Sequence, residues 1–199
     1  MPLTKREQYR RATLLCCHFV RNLAYERAGK QSMNELKESG DFWTIVNNNF
    51  LNSCVLEWCK LFVDTKNRQP SEHRWDNIVA DKVRFEAELY QRINQTRFQR
   101  LIDEMRTTRN KFIAHLDDQN TEYMPHMDIA KTAVQFYHGY IIDEANPGEL
   151  VGLPTDLNDY IRPVIRRRGR YTNAPPSQRA AKSMTLLSRE IVARRLLMR

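Results

Sequence analysis

The sequence predicts an all-α fold: a bundle of four to five helices over roughly residues 5–145, followed by a basic C-terminal extension. Three observations carry this reading. Three long segments repeat apolar residues at gaps of three and four, the spacing that gathers side chains on one face of a helix. No segment alternates apolar and polar residues convincingly, as a half-buried strand would. Glycine, which is costly inside helices, occurs only 6 times in 199 residues.

The first helix is expected over residues 5–28. Ala12, Cys16, Phe19 or Val20, and Leu23 form its inward stripe, and Gly29 offers a left-handed stop. His18 and Tyr25 are expected to pack against neighbours. Residues 31–40 read as a connector, and Asp41 as the N-cap of a second helix ending near Phe62. Phe42, Val46, Phe50, Cys54, Trp58 and Phe62 follow at i+4, with Leu51, Val55 and Leu61 widening the face. Such a face suits a central helix or a dimer interface. Asn47, Asn48, Asn49 and Asn52 interrupt it with weak helix formers, which serve either as solvent-facing amides or as groups orienting a site.

Residues 64–77 form a polar loop in which Trp75 either anchors the loop or stacks on a base. A short helix over residues 78–92 is expected to bury Val79, Val83 and Leu89. A third long helix should run from about Gln95 to His115 or Leu116. Pro125 suits the first turn of a last bundle helix over residues 125–143, with Ile129, Ala133, Phe136, Tyr137 and Tyr140 inward. Three prolines and two glycines then fall within residues 145–163, which places the domain boundary at 145/146. Residues 146–199 read as a Pro-containing linker and a basic tail ending in a helix over residues 184–197.

The third long helix carries the chemistry. Phe98, Ile102, Met105, Phe112 and Leu116 share one stripe, and the position completing the series is Arg109. A charge on an apolar stripe demands a partner. Six residues on stands His115, the side chain suited to acid–base work near neutral pH. At about 100° per residue it lies roughly 120° round from Arg109, so one straight helix does not converge the two groups. A long Arg, a bent helix end or a second subunit must close the gap. A purely structural reading is also open: Arg109 paired with Glu57 or Asp103, and His115 favoured by the helix C-terminus.

The run Arg109-Asn110-Lys111-Phe112-Ile113-Ala114-His115 resembles the signature of the HEPN superfamily, an Arg and a polar residue with a His four to six positions after the Arg. The longer string RNKFIAHLD resembles the HEPN-like proteins of bacterial abortive-infection systems. The resemblance covers roughly residues 5–145. It implies an up-and-down helical bundle, usually a homodimer, acting as a metal-independent endoribonuclease in a toxin or phage-defence role. His115 would then be the acid/base, Arg109 would stabilise phosphoryl charge, and Asn110 would position a phosphate or orient the histidine. Some such toxins are silenced by an antitoxin that modifies a tyrosine two positions after the histidine. Asp117 stands there instead, which puts that mode in doubt while leaving a cognate antitoxin as an expected partner. Proteins of the superfamily with a weakened motif serve as non-catalytic RNA-binding or scaffold modules.

Charge points to the same class of partner. Residues 161–199 hold eleven Arg/Lys and one acid, Glu190, a net of +10, while the whole chain carries +8. Residues 1–160 therefore carry −2, so the basicity belongs to the tail. Arg166, Arg167, Arg168, Arg170, Arg194 and Arg195 are the candidate RNA contacts. No cofactor or metal site is expected, since there is no phosphate-binding Gly-rich loop and no Cys-x-x-Cys pair. The four cysteines, Cys16, Cys17, Cys54 and Cys59, read as reduced core thiols. No apolar run reaches the roughly 20 residues of a membrane span, and no export signal opens the chain. A cytoplasmic protein is expected.

Overall fold

In a computed structural model, residues 3–36, 41–64, 72–114 and 125–163 are described. Among them every regular element is helical and none is a strand. Helices α1 (Lys5–Leu36) and α2 (Asp41–Phe62) pack along each other. They run antiparallel, because Phe19 meets Cys54, Tyr25 stacks on Phe50 and Gly29 meets Asn47. The predicted stripe of α1, from Ala12 through Leu23, is buried. Gly29 does not end the helix. A Cβ there would collide with the Asn47 carboxamide, so the glycine lets α2 approach closely.

On α2 the second half of the expected stripe is buried, but Phe42 is exposed and Val46 and Phe50 are only partly covered. The reason is geometric. Steps of four residues overshoot a turn by about 40°, so five of them carry the series roughly 200° round the helix. No single straight helix can bury both Phe42 and Phe62 on one side. Trp58 is wholly buried, with Phe62 and Phe98 against it, while Phe42, Ile45 and Leu56 of the same helix are exposed.

The segment after α2 includes the short α3 (Trp75–Ile78). Trp75 is buried, with its ring stacked on Phe85 at 4.8 Å and 12°; it anchors the loop and presents no free face to a base. Asp81 caps α4 (Lys82–Arg92) through the Arg84 amide at 3.0 Å. Phe85 and Leu89, one turn apart, face inward. Val83 lies two residues from Phe85, hence about 200° away, and is 80% exposed, contrary to the sequence reading. Val79 is buried, but from the extended residue that precedes α4.

Asn94 caps α5 (Gln95–Thr108) by accepting the Thr96 and Arg97 amides. The helix then widens into a π-helical segment, Arg109–Ala114. Helix α6 (Met127–Glu144) runs antiparallel to α1: Arg27 pairs with Asp128 and Tyr9 donates to Glu144. Glu144 also accepts the Ala80 amide at 3.1 Å, tying the end of α6 to the α3–α4 link.

The composition shift at Ala145 marks the end of α6 rather than the end of the packed unit, which runs from Met1 to Arg162. Helical residues 157–163 bury Leu157 and Ile161 in the common core. His138 is buried and its Nε2 donates to the Pro154 carbonyl at 3.1 Å. Arg10 holds the Val151 carbonyl at 2.9 Å. The terminal helix expected over residues 184–197 lies outside the described residues. No described helix is long and apolar enough to cross a membrane.

The contrast on α4 is measurable. Phe85→Ala should cost about 3–5 kcal/mol in urea denaturation, by cavity formation and lost aromatic contacts. Val83→Ala should change stability by less than about 0.5 kcal/mol. Comparable losses in the two variants would show that this face is assigned wrongly.

Candidate functional site

The motif begins where two helix ends meet. The stripe of α5 delivers Phe98, Leu101 and Met105 into the core, with Phe98 against Trp58 and Phe62. The Cys59 thiol reaches the Met105 carbonyl at 3.7 Å. One turn later Arg109 sits at the junction of α5 and the π segment, where its amide is shared between the Met105 and Arg106 carbonyls. A π turn carries one more residue than an α turn, so the α-helical phasing between Arg109 and His115 does not carry through the segment.

Arg109 has a partner that the sequence did not disclose. Its Nη1 donates to the Asp64 carboxylate, at the C-terminal end of α2. Its Nε donates to the Asn110 side-chain carbonyl at 3.1 Å. The guanidinium also lies by Cys59, where its positive charge partly offsets the burial that raises that thiol to about 11. The two acids expected to pair with Arg109 are engaged elsewhere. Glu57 accepts two contacts from Asn22, at 3.2 and 3.0 Å, with His18 3.8 Å away. Asp103 pairs with Arg106 at 3.0 Å.

The Arg109 side chain is 26% exposed and that of Asp64 34%, so the pair lies at the rim of the core. The charge on the apolar stripe is thus satisfied inside the protomer, without a second subunit. Asn110 is exposed. His115 lies outside the described residues, as do Arg166, Arg167, Arg168, Arg170, Arg194 and Arg195. The described part of the candidate site is therefore Arg109 and Asn110, joined by Asp64.

Glu104 is the second residue that sequence reading passed over. It is a buried carboxylate on α5 that takes Arg100 Nε at 3.0 Å and the His126 amide at 3.4 Å. Through His126 it fixes where the chain re-enters the bundle before α6. The i,i+4 spacing of Arg100 and Glu104 was a visible signal for the first contact; nothing local signalled the second.

The Asn-rich stretch of α2 serves a different place. Asn47 lies on Gly29, about 18 Å along the helix from Cys59 at 1.5 Å per residue. It is buried, with its side-chain oxygen unpartnered, whereas Asn48 and Asn49 face outward. None of the three adjacent amides orients Arg109. His126 is exposed, and burial holds the proton affinity of His138 and His73 below the ordinary histidine range. No group of three or more His, Cys, Asp or Glu side chains placed to hold a metal ion occurs among the described residues. No protein-family model, curated protein or solved structure matches the chain.

All four cysteines are free and buried. Burial raises Cys17 to about 12 and holds Cys16 and Cys54 well above the ordinary thiol range. Near pH 8 the native protein should therefore release less than one equivalent of thiol to Ellman's reagent within minutes, and four in guanidinium. Rapid reaction of a native thiol would contradict this packing.

Proposed function

We propose that the chain is a metal-independent endoribonuclease of the HEPN type, with a toxin or phage-defence role. The observation that supports it best is the motif from Arg109 to His115, headed by an arginine held at the rim of the bundle by Asp64 and Asn110. An arginine at the rim, oriented by two acceptors, is suited to meet a phosphate. In this reading His115 removes the proton from an RNA 2′-hydroxyl, O2′ attacks phosphorus, and the P–O5′ bond breaks as the leaving oxygen gains a proton. Arg109 stabilises the charge on the phosphoryl oxygens. Asn110 orients the guanidinium. The resemblance that underlies the proposal also implies two copies of the chain, so that two histidines flank one phosphate.

RNA should be cut in the presence of EDTA, since the chemistry uses an acid–base group and a cation. Products should end in a 2′,3′-cyclic phosphate and a 5′-hydroxyl, and a 2′-deoxy residue at the cleaved position should block the reaction. His115→Ala should lower the rate by about 10² to 10⁴. A folded His115→Ala protein that cuts as fast as the wild type would refute the assignment.

A second reading, a non-catalytic RNA-binding or scaffold module, is favoured by the charge segregation of the chain. Residues 161–199 hold +10 while residues 1–160 hold −2. Here Arg166, Arg167, Arg168 and Arg170 bind backbone phosphates. Changing these four to Gln should flatten the salt dependence of single-stranded RNA binding, by up to about 0.7 in log–log slope per lost contact. An unchanged slope would assign the tail a different task.

A further inference from the structure

We infer that Asp64 is the positioning residue of this site: it holds the Arg109 guanidinium in the orientation that meets the scissile phosphoryl group. The inference rests on the ribonuclease reading above. Asp64 lies 45 residues from Arg109 in sequence and follows the end of α2, yet its carboxylate takes the Nη1 donor. Asn110, on the motif itself, takes Nε. Two acceptors on two separate segments fix a planar group far better than one, since rotation about the Cδ–Nε bond and swing of the long stem are both opposed. The guanidinium has five N–H donors, and among the described residues Asp64, Asn110 and the Cys59 sulfur take three, leaving two for phosphoryl oxygens.

Asp64 is itself anchored. Its amide and that of Val63 both bond to the Cys59 carbonyl at 2.8 Å, closing the end of α2 around the residue whose thiol lies by Arg109. The backbone that carries the carboxylate is thus held to the end of α2. Its charge opposes an incoming phosphate, so Asp64 does not serve affinity. What it supplies is orientation, which acts on the chemical step when a developing charge must find its donors already in place.

This separates kcat from KM. Asp64→Ala should lower kcat for RNA cleavage about tenfold or more while leaving KM equal or lower. Asp64→Asn keeps an oxygen that accepts Nη1 and should stay within about threefold of wild-type kcat. Where Asp64→Ala does not fold, Asp64→Glu, which keeps the charge but displaces the oxygen by one methylene, should lower kcat at least threefold with KM unmoved. All rates are measured per folded protein, with His115→Ala alongside. Wild-type kcat in Asp64→Ala or Asp64→Glu, or equal loss in Asp64→Asn and Asp64→Ala, overturns the positioning role while leaving the ribonuclease standing. Absence of His115-dependent cleavage by the wild type overturns both.

Discussion

The structure depends on the contact made by the C-terminal half of α2 with the helices around it. Trp58 is fully enclosed, with Phe62 at 4.8 Å and Phe98 at 6.0 Å, and Phe62 meets Tyr137 at 5.7 Å. One patch of α2 thereby fixes α5 and α6 at once, while Cys54 and Val55 on the same helix are buried with α1. Burial of each such aromatic side chain is worth roughly 1.5–3 kcal/mol, and the edge-to-face pairs add somewhat more. Arg109 meets Asp64 because Trp58 and Phe98 have already locked the two helices in register.

Around this core the connections are held by single buried or half-buried acceptors. Glu144 gathers the Ala80 amide and the Tyr9 hydroxyl, joining three segments that share no sequence neighbourhood. Glu104 does the same where the chain returns at His126. The Tyr137 hydroxyl donates to the His73 carbonyl at 3.2 Å, which fixes the loop beside Trp75. Of the groups so paired the Tyr137 side chain is buried, and leaving a buried hydroxyl unpaired costs about 1–3 kcal/mol. The loops are therefore positioned by polar chemistry laid over an apolar frame.

The electrostatic character is divided in the same way. The bundle holds its charges in local pairs, such as Arg84 with Glu88 and Arg100 with Glu104, and residues 1–160 come near neutrality. The Arg109–Asp64 pair, like Arg27–Asp128, joins distant parts of the chain, and it is the more covered of the two. A paired arginine at a rim satisfies the fold in the resting protein and still has donors to offer. The ion pair thus supports both a structural and a catalytic account, which differ in whether the geometry of the pair governs a rate.

The sequence by itself determined what depends on local periodicity. The all-helical class, the bounds of α2, the inward stripe of α1 and the burial of Ala133, Phe136 and Tyr137 follow from spacings within a few turns. The anomaly of Arg109 was visible too, since one charge breaks a regular apolar series. Tertiary structure decided which partner answers it: Asp64 stands in a polar stretch like any other, and no rule of spacing links residues 45 apart. It also decided that Gly29 is a crossing point and not a stop, that Val83 faces outward while Phe85 faces inward, and that Leu157 and Ile161 belong to the core. Periodicity tells a side chain which of its own neighbours share its face; only packing tells it what that face will meet.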